Sequence, residues 1–248
     1  MKIAVAGGTG TIGQLVVAAA DEAGHETVVL ARSTGTDLRD ARELEPKLRG
    51  VDTVIDVTST GTMSTARAVE FFGTVTSNLL RAGRAAGVGH HVALSIVGAL
   101  EVNASYYAGK AAQERMLLSQ PGGYSLLRTT QFHEFAAQMV QRMGRGPVQL
   151  APIMLSQPIA GTEVADELIR LAESGPEGEV ADLAGPREEK MPRMVKAYRE
   201  ASGSPARVLA VPVPGAMGKA MRDGSLLAGQ GARLRTLTFD DWLAGQQH

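Results

Sequence analysis

The chain opens with an apolar run that stops at a cluster of glycines. Lys2–Ala6 is short and contains valine and isoleucine, which is typical of a buried parallel strand. After the glycines, apolar residues recur at helical spacing, namely Ile12, Leu15, Val16 and Ala19. A second apolar run, Thr27–Ala31, follows this helix. The pattern predicts a strand, a glycine turn, a helix and a second strand.

Strand and helix patterns alternate along most of the remaining chain. The predicted strands are Val51–Thr58, His91–Val97, Tyr124–Arg128, Val180–Leu183 and Arg207–Val211. The predicted helices are Ser64–Ala86, Ser105–Ser119, Phe132–Met143, Glu163–Glu173, Met191–Ala201 and Thr238–Ala244. A loop containing Pro147 and Pro152 separates the third and fourth of these helices. The segment after Arg32 has little strand pattern, which indicates that one strand usual in such folds is contracted.

This alternation predicts an α/β fold, a Rossmann-type doubly wound parallel sheet with a small C-terminal substrate lobe. Residues 1–150 are expected to form the core. Residues 151–248 are expected to add the remaining core elements and the lobe, within one integrated domain. A chain of 248 residues is long enough to bury a core of this size.

Composition excludes several classes of protein. Hydrophobic residues make up 44%, an ordinary share for a globular protein, and no apolar run approaches the roughly 18 residues that span a bilayer. The start of the chain has no signal-peptide pattern, and with no cysteine the sequence excludes disulfides and thiolate metal sites. The net charge of −1, without a basic block, argues against nucleic-acid or membrane partners. We therefore expect a cytoplasmic protein with a small-molecule partner, and pairing of its two long helices in a homo-oligomer stays open.

The glycine cluster has the spacing G-x-x-G-x-x-G. Gly7 permits a tight turn, Gly10 lets the backbone approach a pyrophosphate, and Gly13 allows close packing of the helix. The phosphates would lie at the helix N-terminus, where free N–H groups favour anions. The predicted cofactor-binding residues of this loop also include Thr9, Thr11 and Ile12. The alternative is an ordinary glycine-rich turn between a strand and a helix.

The end of the second strand indicates which dinucleotide is bound. An NAD site usually has Asp or Glu there, whereas this chain has Arg32 and Ser33. A guanidinium beside hydroxyls suits a 2′-phosphate, so NADP(H) is predicted in preference to NAD(H). A solvated surface arginine is the alternative.

Further along, Asp37 and Leu38 are placed to contact adenine, or Asp37 caps a helix. Thr58 belongs to a loop at the carboxyl edge of the sheet, where ligands bind in such folds.

Ser95 ends a predicted strand, and Tyr106 and Lys110 follow four positions apart, on one face of a helix. A tyrosine must lower its pKa by about 3 units to act as an acid or base near neutrality, and a nearby lysine cation supplies an interaction of that size. Ser95 is suited to hydrogen-bond a carbonyl oxygen. Taken singly, the three residues are also explained as a strand-end serine, a packed tyrosine and a solvated lysine.

The pair His90 and His91 points to opposite faces of a strand, so no metal site is predicted.

The motifs GGTGTIG, LSIVG and YYAGK resemble the short-chain dehydrogenase/reductase superfamily, in particular its atypical NmrA-like branch. VDTVIDVT, LLRTTQFHEF and QPIAGTEVADEL extend the resemblance over most of the chain. The resemblance implies a Rossmann fold and an NAD(P) cofactor. It also implies that Tyr106 donates a proton, that Ser95 polarises the carbonyl, and that Lys110 binds the nicotinamide ribose and lowers the pKa of the tyrosine.

The resemblance implies a substrate pocket beside the nicotinamide, with Gln131, Phe132 and His133 in its lining. Core packing is the alternative for Phe132. The sequence thus predicts an NADP(H)-dependent oxidoreductase that reduces a carbonyl or quinone-like molecule at a Ser-Tyr-Lys site. A dinucleotide-binding redox sensor without catalysis is the rival hypothesis. Epimerase or dehydratase chemistry on a nucleotide sugar is a third, although the predicted lobe is small for such a substrate.

Overall fold

Strands and helices alternate along the chain, and the computed structural model describes residues 1–145 and 147–246. The chain divides into two compact units, each built from two segments. Unit 1 comprises residues 1–128 and 162–181, and unit 2 comprises residues 129–161 and 182–248. The sequence predicted one boundary at residue 150, whereas here the chain leaves each unit and later returns to it.

Short elements are frequent in the second half of the chain. The described strands are β1 (Lys2–Ala6), β2 (Glu26–Leu30), β3 (Thr53–Asp56), β4 (His90–Ile96), β5 (Tyr124–Thr129), β6 (Gly144–Arg145), β7 (Val148–Pro152), β8 (Leu155–Ser156), β9 (Gly178–Glu179), β10 (Leu183–Ala184), β11 (Glu189–Lys190), β12 (Arg207–Val211) and β13 (Arg233–Leu234). The described α-helices are α1 (Thr11–Glu22), α2 (Leu44–Leu48), α3 (Thr65–Ala86), α4 (Ala99–Val102), α5 (Ser105–Leu118), α6 (Phe135–Met143), α7 (Gly161–Ser174), α8 (Met191–Ala201), α9 (Gly215–Asp223) and α10 (Phe239–Gly245).

Unit 1 contains a parallel sheet in the order β2-β1-β3-β4-β5, and β9 pairs with β5. Ala6 pairs with both Leu30 and Asp56, so β1, β2 and β3 end at the same level. Since β2 and β3 lie on opposite sides of β1, the strand order reverses at β1. Loops after the strands at such a point form the usual ligand-binding crevice of a doubly wound sheet.

Helices cover the sheet of unit 1. On one face, α2 and α3 pack over a cluster of buried residues, which comprises Ala4, Ala6, Leu30, Leu38, Leu44, Leu48, Val51, Val54, Val75, Leu79 and Ala82. Ile3 and Val5 are equally buried and point to the opposite face, because side chains alternate along a strand. Burial on both faces explains why β1 is apolar throughout.

Unit 2 contains shorter strands and a separate core. β7 pairs with β6 in antiparallel and with β12 in parallel orientation, while β8 and β11 form an antiparallel pair. β10 pairs with β13, and Leu183 also pairs with Thr129 at the end of β5. Helix α8 packs against α6, α10 and β7.

The predicted α/β fold with a Rossmann-like sheet is confirmed. The predicted strand Arg207–Val211 and helix Met191–Ala201 have the observed bounds. Between Arg32 and Asp52 the chain forms 3-10 turns and α2, which agrees with the predicted contraction of one strand in this segment. None of the described helices is both long enough and apolar enough to cross a bilayer.

Candidate functional site

The backbone conformation of Gly7 turns the chain after β1. Gly7 has a φ of +83°, in the left-handed region that glycine tolerates. Its N–H donates to the Leu30 carbonyl oxygen at 2.9 Å. A Cβ at this position would lie 3.1 Å from the backbone of Thr58. The first glycine of the motif therefore turns the chain and lets the loop after β3 come close.

The third glycine seats the helix on this loop. A Cβ on Gly13 would lie 2.1 Å from the Gly7 carbonyl oxygen and 2.6 Å from the Cα of Gly8, distances at which backbone atoms would have to move. Any other residue would therefore displace α1 from the loop. This role is the one predicted for the last glycine of the motif.

The start of α1 fits an anion. Its N-cap is Gly10, no side chain caps it, and its first turn contains no acidic residue. Thr9 and Thr11 are exposed, whereas Ile12 is buried. The first N–H groups of a helix have no acceptor within it, and with the helix dipole they favour a phosphate. The loop thus fits the pyrophosphate of a dinucleotide.

The chain after β2 is bonded to the same loop. Arg32 and Ser33 lie in a 3-10 turn, and both are exposed. The Ser33 hydroxyl donates to Thr9 Oγ1 at 3.1 Å. This bond holds Arg32 and Ser33 next to the glycine loop. Residues that bind the 2′-phosphate of a dinucleotide must lie close to the loop that binds its pyrophosphate.

Asp37 and Leu38 lie in different surroundings. The Asp37 carboxylate accepts from Arg39 Nε at 3.1 Å and Nη2 at 2.8 Å, and these bonds hold the pKa of Asp37 below its usual value. The alternative that Asp37 caps a helix is wrong, because Asp40 caps the next 3-10 turn. The Leu38 side chain is buried in the core, and its carbonyl oxygen accepts from Asn78. An adenine contact at these two residues stays a prediction.

A buried polar network lies under the carboxyl edge of unit 1. Asp56 is fully buried at the end of β3, and its Oδ1 accepts from the Thr58 N–H at 3.0 Å and hydroxyl at 2.6 Å. Its Oδ2 accepts from Gln113 Nε2 at 2.8 Å. The Thr58 side chain, 3% exposed, is therefore committed to the interior. The carboxylate fixes the loop after β3 and, through Gln113, the middle of α5.

Lys110 is part of this network. Its ammonium group donates to the carbonyl oxygens of Leu94 at 2.8 Å and Thr58 at 3.3 Å, and to Gln113 Oε1 at 2.8 Å. A lysine has three N–H donors, so all of them are used. Burial lowers the pKa of Lys110 to about 8, against the opposing effects of Asp56 and Glu114. The alternative of a solvated lysine is therefore wrong.

Tyr106 lies at the start of α5, in a strained turn. Ser105 has a φ of +52° and is held by its N–H bond to Thr65 Oγ1 at 2.9 Å. The Tyr106 ring packs edge-on against Phe72, with centroids 5.4 Å apart. Phe72 also lies under the Lys110 ammonium, 4.5 Å from it, and a Cβ on Gly109 would lie 2.5 Å from the Phe72 ring. Gly109 thus lets α3 and α5 approach where the tyrosine and lysine lie.

The hydrogen bond of the Tyr106 hydroxyl is to a residue that the motif does not include. Tyr106 Oη lies 3.3 Å from Oγ of the exposed Ser59, in the loop after β3. Burial raises the pKa of Tyr106 to about 12, and the bond to Ser59 opposes this rise. The direction is opposite to the lowering by Lys110 that the resemblance implies, and burial of the phenol is its largest cause. The role of Lys110 toward the tyrosine stays a prediction.

Ser95 has a partner in the interior. Its hydroxyl donates to Glu114 Oε1, and the other carboxylate oxygen accepts from Arg128 Nε at 2.9 Å. Ser95 is 2% exposed and Glu114 is fully buried. A hydrogen bond to a charged group contributes about 1.5–3 kcal/mol to stability. In this arrangement the Ser95 proton is committed to Glu114, and its contact with a substrate carbonyl stays a prediction.

The two histidines of β4 have different partners, as opposite side-chain directions require. His90 Nε2 lies 2.9 Å from Ser125 Oγ, whereas His91 Nε2 lies 4.0 Å from Asp56 Oδ2. Burial lowers the pKa of both rings. Within residues 1–145 and 147–246, no group of three or more acidic or histidine side chains could hold a metal ion.

The three predicted pocket residues belong to unit 2. Gln131 and Phe132 pair with Ile159, whose N–H donates to the Gln131 carbonyl oxygen at 2.9 Å. His133 is fully buried, its Nε2 lies 3.0 Å from the Leu237 carbonyl oxygen, and its ring packs against Phe239 and Trp242. His133 thus contributes to the core of unit 2. Roles of these residues in a pocket stay predictions.

Comparison with known proteins finds a family match in the first half of the chain. Residues 3–121 match the sequence profile of the NAD dependent epimerase/dehydratase family. These residues are similar to that family. The predicted short-chain dehydrogenase/reductase superfamily is thereby confirmed, while the narrower NmrA-like branch stays a prediction. The matched residues include the glycine loop, Ser59, Tyr106 and Lys110.

Relatives of known structure or description cover different shares of the chain. The photosystem II assembly factor Ycf39 from Synechocystis is 36% identical over 117 residues, which are 41% of this chain and 35% of that protein. A UDP-glucose 4-epimerase from Bifidobacterium longum, solved with NAD+ and UDP, has a TM-score of 0.73 at 15% identity and covers 100% of this chain and 97% of its own. An NADPH-dependent quinone oxidoreductase from Escherichia coli, solved with NADPH, has a TM-score of 0.69 at 15% identity, covering 99% and 100%.

These identities show a shared fold. The match to the NAD dependent epimerase/dehydratase family supports a nicotinamide dinucleotide as the class of cofactor. The reaction, the substrate and the choice between NAD and NADP are more specific properties than a family match determines.

Several residues of this site were not predicted from the sequence. Gln113 and Glu114 follow Lys110 by three and four positions on α5, a spacing that places them on its face of the helix. This spacing was the available signal. Asp56 is the carboxylate of the VDTVIDVT strand, and a buried carboxylate generally needs partners. Ser59 had no signal beyond its place in a loop at the carboxyl edge.

Proposed function

We propose that the chain is an NADP(H)-dependent oxidoreductase that reduces a carbonyl or quinone-like small molecule, with Tyr106 as the proton donor. The observation that carries the proposal is the Tyr106 hydroxyl beside the exposed Ser59, in the same unit as the glycine loop. The hydroxyl belongs to the carboxyl edge of the sheet, where ligands of doubly wound folds bind.

The protonated state of Tyr106 suits the reducing direction. A phenol with a pKa of about 12 is protonated near neutral pH and holds the proton that a reduction needs, but it is a weaker acid than an ordinary tyrosine. A bound nicotinamide cofactor supplies the two electrons of such a reduction. Tyr106 then supplies the proton, and Lys110 holds a positive charge in the adjacent interior.

Arg32 and Ser33 support the preference for NADP(H). The Ser33 bond to Thr9 keeps this turn next to the glycine loop, and the exposed Arg32 guanidinium is suited to a phosphate. The residues that would hold the dinucleotide are therefore those of the loop, the turn and the start of α1. Lys110 would bind a ribose hydroxyl by exchanging the longest of its bonds, the one to the Thr58 carbonyl oxygen.

The first experiment measures NADPH consumption by the full chain with a panel of aldehydes, ketones and quinones. Tyr106→Phe is expected to lower turnover by about 10²–10⁴-fold and to leave NADPH binding nearly intact. Tyr107→Phe, the neighbouring tyrosine, is the matched control. Arg32→Glu is expected to reduce the ratio of NADPH to NADH affinity by about tenfold or more. Full turnover in Tyr106→Phe would exclude the proposed role of the tyrosine.

A dinucleotide sensor without catalysis is the second candidate. It is favoured by the internal partners of Ser95 and Lys110, whose donors all bond to protein atoms. The sensor predicts tight NADPH binding with no turnover on any acceptor. UDP-glucose belongs in the same panel because solved neighbours include UDP-glucose 4-epimerases, and epimerisation of it would replace the proposed reduction.

A further inference from the structure

We infer that Ser59 is a catalytic residue of this site, the hydroxyl through which Tyr106 regains its proton from solvent. The inference rests on the proposed function and adds to it a residue outside the Ser-Tyr-Lys motif. Its first support is geometric: Ser59 Oγ lies 3.3 Å from Tyr106 Oη, and Ser59 is exposed while Tyr106 is half-buried. One end of the hydroxyl pair thus reaches water and the other reaches the reacting oxygen.

The protein holds Ser59 in place through its neighbour. The Thr58 N–H and hydroxyl are bonded to Asp56, and the Thr58 carbonyl oxygen accepts from Lys110. The peptide that leads into Ser59 is therefore fixed by the same buried network that holds the lysine. Because this network is buried, the position of Ser59 does not depend on a flexible surface contact.

The other candidates for this role have their protons in use. The Lys110 ammonium donates to the Thr58 and Leu94 carbonyl oxygens and to Gln113. The Ser95 hydroxyl donates to Glu114. Ser59 is thus the hydroxyl bonded to Tyr106 that also meets solvent.

The relay consists of proton transfers alone. After Tyr106 has given its phenolic proton to the substrate oxygen, the Ser59 O–H bond breaks and its proton passes to Tyr106 Oη. Ser59 Oγ takes a proton from solvent water in the same event. Each O–H bond that breaks is replaced by one that forms, no electrons are transferred, and the net change is one proton moved from solvent to the tyrosine.

The first test requires no cofactor. A difluorotyrosine at position 106 of the full chain has a more acidic phenol, and fluorine NMR follows the ionisation of that residue alone among the four tyrosines. Ser59→Ala is expected to move the midpoint upward by about one pH unit, because the phenolate loses a hydrogen-bond donor. Ser59→Thr retains a hydroxyl and is expected to restore it. Thr60→Ala, on the same loop, is the matched control and should leave the midpoint unchanged.

The second test measures turnover with NADPH and an acceptor found in the panel. Ser59→Ala is expected to lower kcat by about tenfold, most strongly at high pH, with the KM for NADPH unchanged and with rescue by Ser59→Thr. Wild-type turnover together with an unmoved midpoint in Ser59→Ala would overturn the relay alone. A wild type that turns over no acceptor would overturn the proposed function and the relay with it.

Discussion

The loop after β3 and the end of β4 each contribute a serine near the carboxyl edge of unit 1, and the two hydroxyls have different partners. Ser59 is exposed and bonds to the Tyr106 hydroxyl, whereas Ser95 is 2% exposed and bonds to the buried Glu114 carboxylate. A hydroxyl that satisfies a buried charge stabilises the fold and has no proton to spare. A hydroxyl between water and a neutral phenol is available for chemistry. The partner, more than the position at a strand end, therefore distinguishes a serine whose proton is held in the interior from one whose hydroxyl meets water.

The largest effect is expected when the ion pair beside Ser95, between Arg128 and Glu114, is removed. Arg128→Met leaves the fully buried Glu114 without its ion pair, since Arg128 Nη2 lies 2.8 Å from Glu114 Oε2. Losing one partner of such a pair is expected to lower the free energy of unfolding by about 3–5 kcal/mol. Urea denaturation of the full chain measures this loss.

Arg115→Met is the matched control, because Arg115 is an exposed arginine on the same helix as Glu114 and should change stability by less than about 0.5 kcal/mol. Adding Glu114→Gln to Arg128→Met should recover part of the loss. An equal loss in the single and double variants would mean that the buried charge of Glu114 is not the cause.

A second, somewhat smaller effect concerns the network beneath Ser59. The pKa of Lys110 lies at about 8 in the folded chain, below the 10.5 of an ordinary lysine. Between these values the unfolded chain binds more protons, so raising the pH favours the fold. The contribution of Lys110 is fully present above pH 10.5 and is lost as the pH falls through 8. The stability of wild type relative to Lys110→Met should therefore rise across this window by on the order of 3 kcal/mol.

Urea denaturation at several pH values between 8 and 10.5 gives this difference. Lys196→Met removes an exposed lysine and serves as the control. A difference between wild type and Lys110→Met that stays constant with pH would show that Lys110 titrates as an exposed lysine does. That result would also remove the argument that the loop before Ser59 is held by a buried ammonium.

Much of unit 1 could be predicted because its elements obey simple periodicities. β1 is apolar throughout and ends at glycine, and α3 has an apolar stripe with Ser64 as its cap and Gly87 after it. In unit 2 the same rules failed at particular residues. Pro147 and Pro152 suggested a loop, yet β7 begins directly after Pro147 and ends at Pro152.

Helix α9 was missed because Gly215 and Gly218 lower helix propensity. The structure gives Gly218 a packing role, since a Cβ there would lie 1.6 Å from the Val213 carbonyl oxygen. The site shows the same limit. The spacing of Tyr106 and Lys110 follows from a helix, but the partners of each polar atom depend on contacts between distant segments. Asp56 and Gln113 meet across 57 positions of sequence, and no local pattern contains that contact.

The smallest effect compares the two serines directly. Ser95→Ala removes a hydrogen bond to a buried carboxylate and is expected to lower the free energy of unfolding by about 1.5–3 kcal/mol. Ser59→Ala removes an exposed hydroxyl and should stay within about 0.5 kcal/mol of wild type. Urea denaturation should therefore show the larger effect for Ser95→Ala. The ionisation midpoint of difluorotyrosine at position 106 should show the larger effect for Ser59→Ala and stay in place for Ser95→Ala. If Ser95→Ala moves the midpoint and Ser59→Ala does not, then Ser95 turns from Glu114 toward the tyrosine in solution. The motif serine would then be the catalytic one, and Ser59 would be a loop residue that happens to lie beside it.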